Sequence, residues 1–138
     1  MNAIDYIPHQ KPMVFIDTVT TVTENSIEAS LEITSELMFV QEEGLPTWVS
    51  IEIMAQTISA YAGFQGSKSE RAPRIGYLLG TRRMVLPMAY FTLGKTLKIH
   101  AQREYSHEGL GQFLCEIEYE DHKISALLSV YEPEEGMS

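Results

Sequence analysis

Glu52 is the residue of this chain whose type and setting most directly suggest chemistry. It lies in TWVSIEIMAQTISAYAGFQG, residues 47–66, with Ile51, Ile53 and Met54 as its neighbours. A carboxylate is seldom buried without a partner, and desolvation prepares a buried one to exchange a proton near neutral pH. The plain alternative is a solvent-facing stripe or an arginine partner. Ser50, Gln56 and Thr57 are read here as lying off the line of Glu52, which weakens that alternative. Gly44, Leu45 and Pro46 lead into Thr47, a suitable N-cap, and Trp48. The first amides of a helix have no intrahelical acceptor and carry partial positive charge. A ligand carbonyl at the N–H of Thr47 or Trp48 would then lie near Glu52, about one turn inward. An oxyanion donor with one acid/base group is a minimal set for enolate chemistry on a thioester.

Those groups need a helix and something to hold it. Val49, Ile53, Met54, Ile58, Tyr61, Ala62 and Phe64 fall near helical spacing, and Trp48, Ile51, Ala55 and Ala60 extend the apolar cover. The expectation is a buried helix over 47–66, closed by Gly66, with Gly63 marking close packing. Before it, MVFIDTVTTVT from Met13 and SIEASLEIT from Ser26 read as a hairpin turning at Glu24-Asn25. Asn2 to Ile7 suits a short helical turn ended by Pro8. After it, IGYLLGTRRMVL, KTLKIHAQREYS, GQFLCEIEYE and KISALLSVY read as strands, the last two joined by a turn at Glu120 to His122. One helix among about six strands predicts an α+β fold: an antiparallel sheet curled around a central helix.

The chain has 138 residues, 44% hydrophobic and 21% charged, which fits a single domain over 1–138. One cysteine, Cys115, excludes an internal disulfide framework, and no Cys/His cluster has zinc spacing. Cys115 reads as a buried strand residue, since no nucleophile motif surrounds it. No apolar run reaches the roughly 20 residues of a membrane span, and no secretory signal opens the chain, so a cytoplasmic protein without a membrane anchor is expected. A net charge of −9 argues against nucleic-acid binding. That charge is uneven. Lys68, Arg71, Arg74, Arg82 and Arg83 face only Glu70 within residues 68–83, a window of +4 that leaves −13 elsewhere. Such an island suits an acidic partner or a phosphate, or is simply a solvated loop.

Three stretches together resemble a known family. LPTWVSIEIMAQ resembles the central-helix motif of the β-hydroxyacyl-acyl-carrier-protein dehydratases of the FabZ type, which have the hotdog fold. YIPHQKPMVFIDTV resembles their N-terminal Pro-His…Pro…Asp-Arg-Val stretch, with Thr18 in place of the arginine. GTRRMVLPMAYFTLGKTLKI resembles their Gly…Arg…Pro…Gly-Asp segment through Arg82 or Arg83, Pro87 and Gly94. The wording IEIMAQTISAYAGF followed by LLGTRR is similar to the short ApeP-type dehydratases of aryl polyene and related clusters. The resemblance implies a hotdog protomer, a homodimer or a hetero-oligomer with another hotdog subunit, and acyl tunnels at the protomer interface. It implies a (3R)-3-hydroxyacyl thioester on acyl carrier protein as substrate, its phosphopantetheine belonging to the carrier. No metal or other cofactor is expected. Arg71, Arg74, Arg82 and Arg83 become carrier-docking candidates. Phe39, Trp48, Tyr61 and Phe64 become candidates to line the acyl tunnel, against ordinary core packing.

The chain departs from the family at the catalytic histidine. Counting back from Glu52 to the family's His-Phe-Pro-Gly stretch reaches Met38, and SELMFVQEEGLP holds no histidine. His100, His107 and His122 lie in strand or turn segments and read as surface or packing residues. His9 is the one histidine at a motif position. Three readings remain open: His9 is the base, a partner subunit supplies it, or the chain is a non-catalytic or differently catalytic member. On the first two, the carbonyl binds the amides of Thr47 or Trp48, the base takes the α-proton, and Glu52 protonates the leaving hydroxyl. The rivals are an acyl thioesterase and a non-catalytic acyl-binding subunit.

Overall fold

The computed structural model describes residues 1–8, 11, 13–68, 77–82 and 84–131, with backbone only at 66–68 and 77–82. A 3-10 turn at Ala3–Asp5 precedes the first hairpin, β1 (Thr18–Val22) and β2 (Ser26–Glu32). A two-residue strand, β3 (Leu45–Pro46), leads through a 3-10 turn at Thr47–Val49 into the long helix α1 (Ser50–Lys68). Then come β4 (Tyr77–Arg82), the short β5 (Tyr90–Phe91), β6 (Thr96–His107), β7 (Leu110–Tyr119) and β8 (His122–Tyr131). The six longer strands form one antiparallel sheet in the order β1-β2-β6-β7-β8-β4, and β3 pairs with β5 apart from it.

Period-two alternation sets the inner face of the sheet. Ile27, Ala29 and Leu31 of β2, Leu97, Ile99 and Ala101 of β6, and Cys115 and Ile117 of β7 are all buried, as are Ile124, Ala126 and Leu128 of β8. They pack with Ile53, Met54, Ile58, Ala60 and Tyr61 of α1 in one core. The expected α+β arrangement, a sheet around one helix, is the one found.

Some boundaries moved. The strand expected from Met13 joins the sheet only at Thr18, because Met13–Phe15 bonds to α1 instead of a neighbouring strand. The strand expected over 75–86 spans Tyr77–Arg82. The helical region begins at Thr47 as expected, first as a 3-10 turn, and ends at Lys68. Thr23 to Asn25 forms the first hairpin turn, held by the Thr23 N–H bond to Ser26 O at 2.8 Å.

The start of α1 is suspended from the segment before β5. Thr47 donates its N–H to Ala89 O at 3.0 Å and its hydroxyl to Met88 O at 2.7 Å. Tyr119 of β7 holds β5 in turn: its ring meets Phe91 edge-on at 5.0 Å, its hydroxyl donates to Thr92 Oγ1 at 3.0 Å, and it accepts the Thr92 N–H at 3.1 Å. At Gly44 a Cβ would strike the carbonyl of Phe91, and the backbone has φ +130°, so only glycine lets the chain pass from the preceding loop into β3.

Candidate active site

Glu52 lies in the first turn of α1, half-buried within the protomer. Its Oε1 accepts a hydrogen bond from Gln56 Nε2 at 3.0 Å. The sequence reading set Gln56 off the line of Glu52, and the structure corrects it. Residues i and i+4 share a helix face, and Glu52, Gln56, Ser59 and Gly63 run along one stripe beneath the N-terminal segment. Gln56 is fully buried. Its Oε1 accepts the Phe15 N–H at 2.7 Å, and its Nε2 also donates to Met13 O at 2.6 Å. One side chain therefore replaces the strand partner that Met13–Phe15 lacks and fixes the carboxylate beside it. A polar amide four residues from the acid, in an otherwise apolar helix, was the signal in the sequence.

The amide donors sort themselves by partner. Thr47 is buried and its N–H is taken by Ala89, so of the two amides considered as oxyanion donors the Thr47 amide is already occupied. Trp48 N–H is the second amide of the turn, a position the helix itself leaves without an acceptor, and no backbone carbonyl of the described residues takes it. Its side chain is 55% exposed, four residues before Glu52.

Phe39 lies beside it. The Phe39 ring is 5.1 Å from that of Trp48 and stacks on buried Phe15 at 6.0 Å with an interplanar angle of 12°. Its φ is +72°, a left-handed conformation costly for a residue with a large side chain. A circuit closes here: Trp48 to Phe39, Phe39 to Phe15, Phe15 to Gln56, Gln56 to Glu52, and back along the helix. Phe39, Trp48 and Glu52 are thus brought together.

Tyr61 and Phe64 are not part of this group, lying roughly 13–18 Å further along α1 at 1.5 Å per residue. Tyr61 is 4% exposed, donates its hydroxyl to Glu24 O, meets Phe113 edge-on at 5.7 Å and lies under the Arg103 guanidinium at 5.8 Å. Burial raises its pKa, against the opposing charge of Arg103. It fastens the β1–β2 turn to the helix, which is a packing role within the protomer. Phe64 is half-buried with its ring 5.6 Å from Tyr6. Cys115 is a core residue, its thiol pushed up to about 12 by burial.

His9, Arg71, Arg74 and Arg83 fall outside the described residues, and of Arg82 only the backbone, at the end of β4, is described. His100 is half-buried on the outer face of the sheet, between Glu28 and Glu116 in register. It lines a surface cavity of about 220 Å³ with Lys98, Glu118 and Lys123. His107 and His122 are exposed. Among the described residues no cluster of three His, Cys, Asp or Glu side chains is arranged to hold a metal ion. No described helix is long and apolar enough to cross a membrane.

A half-buried carboxylate held by an amide, one turn from a helix-start amide that is unpaired among the described residues and from exposed aromatic rings, is equipped to move a proton next to a polarised carbonyl. The fold and the family agree with that chemistry. The chain is a hotdog protomer. Over residues 1–138 it matches the ApeP-like family, described as ApeP dehydratase, and it belongs to that family. It is a dehydratase by that membership. Among solved structures it is similar to the dehydratase heterocomplex ApeI:P from Xenorhabdus doucetiae, at 27% identity and a TM-score of 0.89, over 99% of this chain and 94% of that one. It also shares its fold with a hypothetical thioesterase from Streptococcus pneumoniae bound to coenzyme A, at 8% identity and TM-score 0.64, over 83% and 86% of the two chains. A thioesterase mutant from Staphylococcus aureus gives 11% identity and TM-score 0.65, over 85% and 93%. No curated protein sequence matches the chain.

Proposed function

We propose that this chain takes part in the dehydration of a (3R)-3-hydroxyacyl thioester on acyl carrier protein to the trans-2-enoyl thioester, within aryl polyene synthesis, in a hetero-oligomer with a second hotdog subunit. Family membership and the likeness to a dehydratase heterocomplex support the reaction and the partner. The observation that carries it is Glu52 at the first turn of α1, held by Gln56 and four residues from Trp48. The thioester carbonyl accepts the Trp48 N–H, which stabilises the negative charge that develops as the Cα–H bond breaks. His9 or a residue of the partner subunit takes that proton. Glu52 gives its proton to the 3-hydroxyl, the C–O bond breaks, and water leaves as the double bond forms. Phe39 and Trp48 flank the acyl chain, and the basic window from Lys68 to Arg83 meets the acidic carrier.

The test gives a 3-hydroxyacyl carrier to the chain, alone and with its hotdog partner, and follows the enoyl product. Wild type should form it. Glu52→Gln should lose at least ~100-fold in kcat, the usual scale of an acid/base group. His9→Ala separates a base in this chain from one in the partner. Full dehydration by Glu52→Gln overturns the assignment of the acid. Free carrier thiol in place of enoyl product would mark a thioesterase. Loss of partner activity on removing this chain, with Glu52→Gln fully active, would mark a non-catalytic subunit.

A further inference from the structure

We infer that Thr47 is a positioning residue for the reaction: through its hydroxyl bond to Met88 O it aims the Trp48 N–H at the substrate carbonyl. The start of α1 leaves one amide for a ligand. Pro46 occupies the N-cap position, has no N–H and makes no side-chain cap. A 3-10 turn pairs each N–H with the carbonyl three residues back, so Val49 and Ser50 are served within the turn, Ser50 by Thr47 O. Thr47 gives its own N–H to Ala89 O at 3.0 Å. Of these four amides Trp48 N–H is the one left open among the described residues.

Threonine is itself a good capping residue, and its oxygen turned back over the helix would compete with a ligand for such an amide. Here the hydroxyl is turned away. It donates to Met88 O at 2.7 Å, next to the carbonyl that takes the Thr47 N–H. Thr47 is therefore held at three points: its N–H on Ala89, its hydroxyl on Met88 and its carbonyl under the Ser50 N–H. A β-branched side chain is stiff at χ1, so the hydroxyl bond holds the Cα as well as the side chain. The carbonyl of Thr47 and the N–H of Trp48 belong to one planar trans peptide and point in opposite directions. Fixing the first toward Ser50 aims the second out of the open end of the helix, four residues before Glu52. Met88 and Ala89 are anchored in turn, because β3 and the Tyr119 bonds to Thr92 hold the strand that follows them. The inference rests on the proposed dehydration only in taking the Trp48 amide as the donor to the carbonyl.

Infrared spectroscopy tests it. The probe is a hexanoyl-pantetheine analogue with CH2 in place of the thioester sulfur and ¹³C at the carbonyl, a ketone that can be neither dehydrated nor hydrolysed. It is bound to the full chain, with its hotdog partner where that is needed. The labelled carbonyl band should lie at lower frequency in wild type than in Thr47→Val, which keeps the branched shape and lacks the hydroxyl. Thr47→Ser should restore the wild-type band. With the 3-hydroxyacyl carrier, Thr47→Val should lose ~10- to 100-fold in kcat with KM changed less than about threefold, and Thr47→Ser should recover most of it. A band unmoved in Thr47→Val, or moved alike in Thr47→Ser, overturns the inference even where kcat falls, because the hydroxyl then serves only the fold. Should Thr47→Val not fold, Thr47→Ala takes its place. If neither folds, the backbone ¹⁵N–¹H resonance of Trp48 in wild type decides: it should move on binding of the ketone, and an unmoved resonance overturns the inference. Full activity of Glu52→Gln would instead remove the dehydratase reading of the acid, and the ketone band would still judge Thr47.

Discussion

Gly63 of α1 lies against the carbonyl of Tyr6: a Cβ there would stand 2.8 Å from the carbonyl carbon and collide with its oxygen. The contact brings the 3-10 turn at Ala3–Asp5 down onto the helix. Glycine inside a helix ordinarily costs about 1 kcal/mol relative to alanine. Here the exchange runs the other way. Gly63→Ala should lower stability by about 1–3 kcal/mol, because the obstacle, the Tyr6 carbonyl, is backbone and cannot swing aside. Urea unfolding with an unchanged m-value would measure it, and a stabilised variant would mean that the N-terminal turn moves away freely.

Phe39 offers a test of backbone strain. Its φ of +72° suits glycine, while its ring touches Phe15 and Trp48. Phe39→Ala loses the ring contacts and keeps the strain; Phe39→Gly loses the contacts and relieves it. The glycine variant should therefore be the more stable of the two by about 1 kcal/mol. Thermal unfolding of the pair reads the difference directly. Both should lose affinity for the acyl substrate alike if the ring flanks it.

Alkaline pH should weaken the fold through Cys115. Burial raises its thiol from 9.0 to about 12, so the folded state holds a proton that the unfolded chain releases. Stability from this group is whole below pH 9 and declines between pH 9 and about 12, with a slope of up to ~1.4 kcal/mol per pH unit. Tyr61, raised by burial, acts in the same direction. Cys115→Ala should flatten the alkaline limb of a stability profile. In wild type at pH 8, a thiol reagent should label Cys115 only after unfolding.

Carrier docking through the basic window carries its own signature. Arg82→Glu should raise KM for the acyl carrier several-fold, with kcat near wild type, and the penalty should shrink as salt rises. A thioester of free pantetheine should show no such change. An equal loss with both substrates would remove Arg82 from docking.

Much of the architecture is legible in the sequence, for physical reasons. β2, β6, β7 and β8 alternate cleanly because one face is buried, and α1 stands out because its apolar residues return at helical spacing. The short pair Leu45–Pro46 and Tyr90–Phe91 is invisible, since two residues have no period. Met13–Phe15 looks like strand but finds its partners on the Gln56 side chain. Of the proposed site, the carboxylate stands out in the sequence and its surroundings less so. Glu52 declared itself by contrast with its neighbours, whereas Gln56 is polar and fully buried, against the usual pattern, and only its hydrogen bonds explain it. The amide of Thr47 is indistinguishable from that of Trp48 until the tertiary contact with Ala89 occupies it.

The sheet has two unequal margins. Along β1, Asn2 bridges Thr18, and Val19 N–H donates to Met1 O at 2.8 Å, so residues 1–3 overlie that side. Along β4, pairing among the described residues runs only toward β8. A sheet sealed at one margin can recruit a further strand at the other alone. Chains that join by that route stop at a pair, whereas a sheet open on both sides could grow into a fibre. Residues 1–3 thus occupy backbone positions around Thr18 and Val19 that an added strand would need, a covering role separate from the chemistry proposed for Glu52.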